Sequence, residues 1–205
     1  MNQKNKPLYV FFAIVIGSVL VIGSMWTFFF LRETRKTRLP VFGNVPDFEL
    51  VERTGRTVRL ADLLGKVWVV DFIFTSCSSV CPLMNSHMKQ MQEMLSVRSN
   101  VKLVSITVDP KRDTPEVLSK YADRYGAQAD RWLFLTGDYN RIQSLAKSGF
   151  FLSMDPGADP KEPIIHSQNL VLVDKRGRIR GYFDGKNAAA TMTVLNAINS
   201  LDMER

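Results

Sequence analysis

A chain of 205 residues has room for one domain of ordinary size and an appendage. The net charge of +7 sits mostly at the front, where Lys4, Lys6, Arg32, Arg35, Lys36 and Arg38 face the single acid Glu33; that surplus of +5 leaves only +2 for residues 39–205. So small a balance argues against nucleic acid as a partner, and the basicity beside the leading apolar run suits anionic lipid head groups instead.

In chain order, residues 1–7 read as a short tail and 8–31 as a transmembrane anchor. No charged residue occurs from Pro7 to Leu31, and a roughly 30 Å hydrocarbon core needs about 20 such residues. A secretory signal would carry a shorter apolar stretch, about 7–15 residues, and a small-residue cleavage site. Here the run ends Phe28-Phe29-Phe30-Leu31-Arg32, which favours an uncleaved anchor over a cleaved leader. Counted alone, the flanking basic residues would keep the large domain in the cytoplasm, but long domains cross largely regardless of such charge. The thiol chemistry below places the domain outside the cytoplasm, in the periplasm or its equivalent. Residues 32–45 read as a basic linker and 46–205 as the folded domain.

Phe48 to Val51 and Thr57 to Leu60, joined through Arg53-Thr54-Gly55, predict a β-hairpin. Ala61 to Leu64 predicts a helical turn. Val67 to Phe74 is apolar almost throughout, as in a strand buried on both faces. Pro82 fits the first turn of a helix reaching about Val97, with an apolar stripe of Met84, Met88, Met91 and Leu95. Val101 to Val108 reads as a strand, Thr114 to Tyr125 as a helix, Trp132 to Leu135 as a strand and Asp138 to Ser148 as a helix. A loop with Pro156, Pro160 and Pro163 follows. Leu170 to Val173 and Ile179 to Phe183 form a second hairpin, and a last helix covers about Ala188 to Leu201. Alternating strands and helices imply parallel strands, with antiparallel pairing added by the terminal hairpin. The expected fold is therefore α/β: thioredoxin-like, with an N-terminal β-hairpin extension, preceded by one transmembrane helix.

Cys77 and Cys81 are the only thiols, in Thr75-Ser76-Cys77-Ser78-Ser79-Val80-Cys81-Pro82. The spacing C-x-x-x-C is one residue longer than the thioredoxin motif, which loosens the fit to disulfide exchange and improves the fit to a metal. Four residues of helix rise roughly 6 Å, inside the roughly 4.4–6.8 Å between Cα atoms that a disulfide tolerates. A helix N-terminus favours thiolate, and two close thiolates make a soft donor pair that selects Cu(I). The plainer alternative is two buried structural thiols. His166 stands just before the strand Leu170 to Val173. If that strand runs antiparallel to Val67–Phe74, topology brings His166 beside the cysteines as a third ligand suited to Cu(I) and Cu(II). His87 points away from Cys81, being six residues and about 600° of helix beyond it. The methionine periodicity is that of core packing.

With these segments the chain resembles the Sco/SenC copper-binding proteins that assist cytochrome c oxidase assembly. The resemblance covers roughly residues 45–200. It rests on Gly65-Lys66, on Phe74-Thr75-Ser76-Cys77 through Cys81-Pro82-Leu83-Met84, on Ser105 through Glu116, on His166-Ser167 and on Val173-Asp174. It implies one copper per domain held by Cys77, Cys81 and His166, taken from an upstream copper donor protein and delivered to the binuclear copper A site of oxidase subunit II. Many members carry Pro where this chain has Ser78, and Asp where it has Ile165; without that carboxylate a different orientation of His166 is expected, which bears on copper affinity and Cu(II) geometry. Asp109, at the same sheet edge, is a candidate to support the site from behind, while Asp113 and Thr114 read as caps of the following helix. Two alternatives use the same thiols. In a thiol–disulfide oxidoreductase, Cys77 and Cys81 would be the redox-active catalytic pair reducing cysteines of the oxidase subunit. A thiol peroxidase would need only one activated cysteine and gives no reason for His166.

Overall fold

The computed structural model describes residues 6–33, 38–95, 100–159 and 162–204. Residues 1–5 of the expected tail, Arg35 and Lys36 of the linker, the helix end at Val97 and Pro160 lie outside the described residues. The chain divides into two compact units, Met1–Arg38 and Leu39–Arg205.

The first unit is one helix, α1, Lys6–Glu33, of 28 residues. Its described side chains, at 11 and 14–27, are exposed. Among the described residues no helix is long and apolar enough to cross a membrane.

The second unit is built on an eight-stranded mixed sheet. Its strands are β1 (Gly43–Asn44), β2 (Glu49–Glu52), β3 (Thr57–Arg59), β4 (Val67–Ile73), β5 (Val101–Thr107), β6 (Trp132–Thr136), β9 (Asn169–Val173) and β10 (Arg178–Asp184). Two further strands, β7 (Met154–Asp159) and β8 (Glu162–His166), form a separate ribbon. The helices are α2 (Leu60–Leu63), α3 (Cys81–Met94), α4 (Pro115–Arg124), α5 (Tyr139–Ser144) and α6 (Ala190–Met203). Strand order is β1-β10-β9-β4-β5-β6-β2-β3. β4, β5 and β6 are parallel, and every other pairing is antiparallel.

β4 lies between β5 and β9 and buries all seven residues, as its apolar run requires. The core continues through Trp68, Phe72 and Phe150, with Phe150 meeting both other rings edge-on at centroid distances of 6.0 and 5.6 Å. Met84, Met88 and Met91 are fully buried on α3. His87, also buried, bonds Thr191 of α6 at 3.0 Å. This is a mixed α/β fold of the thioredoxin-like kind, with the β2–β3 hairpin as its N-terminal extension.

Two departures from the sequence reading concern segments near the site. The proline-bearing stretch expected as a loop forms the β7–β8 ribbon. A two-stranded ribbon has two edges, so a residue without an N–H is accommodated wherever that group would face outward. The helix over Asp138 to Ser148 instead leaves α-geometry at Leu145–Gly149, a π-helical turn. Phe151 follows with φ of 54°.

The chain's entry into this unit is fastened to its exit. Buried Arg180 on β10 donates to the carbonyls of Leu39 (2.7 Å) and Pro40 (3.0 Å), to Asp174 Oδ2 (2.9 Å) and to Glu204 Oε2 (2.6 Å). Glu204 in turn accepts the Leu39 N–H at 2.8 Å.

Candidate metal centre

The site lies at the carboxyl end of β4, where ligands bind in open α/β sheets. β4 ends at Ile73, whose carbonyl accepts the Val108 N–H at 2.8 Å from just beyond β5. The chain then turns: the Cys77 N–H reaches back to the Phe74 carbonyl at 3.2 Å, closing Phe74-Thr75-Ser76-Cys77 as a β-turn. α3 starts at Cys81 with Pro82 in its first turn and no side-chain cap, so amides near its start remain available to an anion.

Those donors converge on Cys77. Its sulfur accepts from the Cys81 S–H, from the backbone N–H groups of Cys81 and Ser79, and from the Ser79 hydroxyl at 3.6 Å. Led by the Cys81 bond, and against partial burial, they draw its pKa from the ordinary 9.0 down to about 4. Cys81 moves the other way: its bond to Cys77 and its full burial hold the proton on sulfur, with the nearby Asp71 charge adding to the effect. Both cysteines are free and buried.

His166 arrives from the other side, as the last residue of β8. Its backbone neighbour Ser167 donates to the Ser153 carbonyl at 3.0 Å, and β9, which follows, runs antiparallel to β4. Topology thus brings His166 to Cys81, with Nε2 at 3.7 Å from Sγ. Nδ1 lies 2.9 Å from the Ser167 carbonyl. A carbonyl can only accept, so Nδ1 carries the hydrogen and Nε2 presents its lone pair to the cysteine. Phe74 stands edge-on to the imidazole at 5.5 Å. The carboxylate missing at Ile165 is therefore replaced, for setting the tautomer, by a backbone carbonyl.

Cys81 has one proton and two acceptors around it. Given to Cys77, that proton leaves the Cys81 sulfur and His166 Nε2 facing each other with lone pairs in a buried gap. Metal–S and metal–N bonds of about 2.3 and 2.0–2.1 Å, the lengths found for zinc, meeting at about 120°, would separate S and N by about 3.8 Å. The observed 3.7 Å lies within the span that one ion can bridge. Among the described residues no group of three or more His, Cys, Asp and Glu side chains stands ready-made to hold a metal. What is pre-set is the Cys81–His166 pair, with Cys77 joined through its bond to Cys81.

The supporting residues differ from those read in the sequence. Asp109 directs its carboxylate to Arg112 at 3.6 Å and its N–H to Thr107 Oγ1 at 3.0 Å. Thr114 caps α4, accepting from the Val117 N–H, but Asp113 does not share that role. It is buried and accepts from the Thr75 N–H (3.0 Å), the Thr75 hydroxyl (2.5 Å) and the Thr107 hydroxyl (2.5 Å). The signal for it was a surplus: Asp113 and Thr114 stand side by side before Pro115, and one helix needs one cap. Asp71, passed over within β4, is fully buried; its Oδ1 accepts from Ser105 at 2.6 Å and its Oδ2 has no partner among the described residues. Burial pushes its pKa up to about 7, against the Ser105 bond. A lone carboxyl in an otherwise apolar strand was the mark it left in the sequence.

A thioredoxin-like sheet presenting two cysteines and a tautomer-fixed histidine at one edge defines a protein of thiol and soft-metal chemistry. The SCO1/SenC family model matches residues 41–200, and the chain belongs to that family. The SCO1 protein homolog of Bacillus subtilis (strain 168) is 31% identical over 168 residues, covering 81% of this chain and 86% of the relative. A SCO1/SenC family lipoprotein from Bacillus anthracis superposes with a TM-score of 0.72 at 28% identity, over 78% of this chain and 95% of its own; lipoproteins are membrane-anchored. BsSco, a member of the Sco family of cytochrome c oxidase assembly proteins with a disulfide switch, gives 0.69 at 29% identity, over 80% and 98%. ScoI of Bradyrhizobium japonicum with copper bound gives 0.66 at 23% identity, over 77% and 99%, a likeness of fold.

Proposed function

We propose that this protein is a membrane-anchored copper metallochaperone that binds one copper ion through Cys77, Cys81 and His166 and helps assemble the copper A site of cytochrome c oxidase subunit II. The observation that carries the reading is the 3.7 Å approach of His166 Nε2 to Cys81 Sγ, with Nδ1 tied to the Ser167 carbonyl. Copper is the cargo: thiolates hold Cu(I), and the imidazole keeps the site acceptable to Cu(II). Cys77 supplies the thiolate that its bond with Cys81 chiefly favours. Cys81 must release its proton as the ion enters, and His166 contributes a neutral ring already in the ligating tautomer. The family membership and the copper-bound relative support the cargo, and BsSco's family supports the oxidase as recipient.

The apolar, uncharged run 8–31, lying within a 28-residue helix, supports a single-pass anchor, and paired redox-capable thiols support an extracytoplasmic domain. An upstream copper donor protein completes the scheme. A second reading, thiol–disulfide exchange with cysteines of the oxidase subunit, is favoured by the low pKa of Cys77 beside a second thiol.

Anaerobic titration of the reduced protein tests the reading. One equivalent of copper is expected, with a thiolate-to-Cu(II) charge-transfer band, and His166→Ala should weaken binding by about 100-fold or more, at the top of the range known for residues that merely support a metal site. Unchanged binding in His166→Ala, together with loss of insulin reduction in Cys77→Ser, would leave the oxidoreductase reading in its place. A reporter fused after Arg205 reads the orientation, and a cytoplasmic signal would refute the extracytoplasmic assignment.

A further inference from the structure

Asp113 is 1% exposed and belongs to none of the ligands, yet each bond of its carboxyl leads to the thiol turn or to the strand beside it. It grips Thr75 at two points, the backbone N–H and the hydroxyl, and takes a third bond from Thr107 at the end of β5. Thr75 is the second residue of the turn that the Cys77 N–H closes onto Phe74. With both its donors held, Thr75 cannot swing, and the turn delivers Cys77 at a fixed place relative to β5 and the start of α3. Thr107 Oγ1 extends the grip by accepting the Asp109 N–H. The two sulfurs have to meet within the narrow limits of a disulfide or of a shared ion, so the anchoring of this turn bears directly on their chemistry.

We propose that Asp113 is a positioning residue for the Cys77–Cys81 pair: by fastening Thr75 to the end of β5 it sets the effective concentration of one sulfur at the other. The proposal rests on the reading of these cysteines as the working pair and is independent of the metal they hold. Its readout is the redox equilibrium with glutathione. The two thiols give up two protons and two electrons as their S–S bond forms, and oxidised glutathione takes both as its own S–S bond breaks, leaving two reduced glutathiones.

The full chain is equilibrated in glutathione buffers of graded ratio, and the Cys77–Cys81 disulfide is quantified by differential alkylation and mass. Asp113→Ala should lower the equilibrium constant for disulfide closure by about tenfold, which raises the reduction potential by about 30 mV. Thr75→Val, which loses one of the three bonds, should lower it about threefold, or about 14 mV. Asp113→Asn keeps an oxygen for the Thr75 N–H and should fall between Asp113→Ala and the unaltered chain. A fall in that constant of twofold or more supports the proposal. Variants that melt earlier while their equilibrium constants stay within twofold of the original overturn it, because a merely structural carboxylate would move only the melting temperature. Should Asp113→Ala fail to fold, the same threshold applied to Asp113→Asn and Thr75→Val decides. Copper titration of the unaltered protein is scored separately: a chain that takes no copper sinks the metallochaperone reading and leaves the Asp113 result standing.

Discussion

The asymmetry of the two thiols yields the sharpest prediction. Cys81→Ala removes the S–H that leads the stabilisation of the Cys77 thiolate, while the Ser79 hydroxyl and the N–H groups of residues 79 and 81 stay. The Cys77 pKa should then climb from about 4 toward the ordinary 9.0. At pH 6 nearly every Cys77 in the unaltered protein is thiolate, against about one in a thousand for a thiol at the ordinary value. Reaction rate at one pH is a poor gauge of this difference. Intrinsic nucleophilicity falls with pKa, with a slope of about 0.4–0.5 per unit. Over five units that takes back about 200-fold of the thousandfold gain, so alkylation would differ by only about fivefold. The midpoint is the discriminating quantity. Ultraviolet thiolate absorbance followed from pH 3 to pH 9 should rise in the acid range for the unaltered protein and several units higher for Cys81→Ala. A single thiolate transition near the ordinary thiol value in both proteins would refute the reasoning, because the Cys81 bond would then contribute nothing.

Three further expectations concern the frame of this unit. Arg180→Met keeps apolar bulk but removes the guanidinium bonds to Glu204 Oε2 and to the Leu39 and Pro40 carbonyls; breaking a buried pair from one side costs about 3–5 kcal/mol, and at the lower end, since Glu204 is partly solvated, melting should fall by about 6–12 °C. Burial opposes the charge on Asp174, and its bonds from Arg178, the Arg176 and Arg178 N–H groups and Arg180 outweigh it, holding its pKa below 3.8. That stability is present above the unfolded carboxylate value and is lost as pH falls through the folded one, so urea unfolding at pH 5 and pH 3 should show a smaller difference in Arg180→Met than in the unaltered chain. Gly185→Ala would set a Cβ 2.6 Å from the Gln168 carbonyl oxygen and 2.8 Å from Met84 Cγ; overpacking of this kind costs about 1–3 kcal/mol, and because Gln168 is two residues from His166, copper affinity should drop together with the urea midpoint.

How far the sequence could be read depended on whether a segment's reason for folding was local. β4 declared itself because seven buried positions leave an apolar run, and His166 followed once β9 was set antiparallel to β4. The β7–β8 ribbon hid behind its prolines, which mark loops by propensity and are tolerated here only because the ribbon has no interior strand. β1, two residues long, is held by pairing with β10 and has no pattern of its own. The π-turn at Leu145–Gly149 changes the spacing of apolar residues by a fraction of a turn, too little to separate from an ordinary helix end. In the site itself the ligand types were legible and the support was not. Asp113 looked like a cap, since capping is what Asp before Thr-Pro usually does, and its true partners lie 38 and 6 residues away. The Ser167 carbonyl, a backbone group, carries no signature at all.

The Arg180 clamp bears on how the second unit would answer a mechanical load. A pull on the start of this unit first meets Leu39 and Pro40, and both carbonyls are held by one guanidinium that also grips Glu204 at the end of the described residues. A pull at the entry is therefore shared with the exit and passed into β10, which pairs with β9 on both sides of an irregularity at Arg180. The thiol turn follows β4 and His166 ends the separate β7–β8 ribbon, so both stand on elements other than the one this fastening loads.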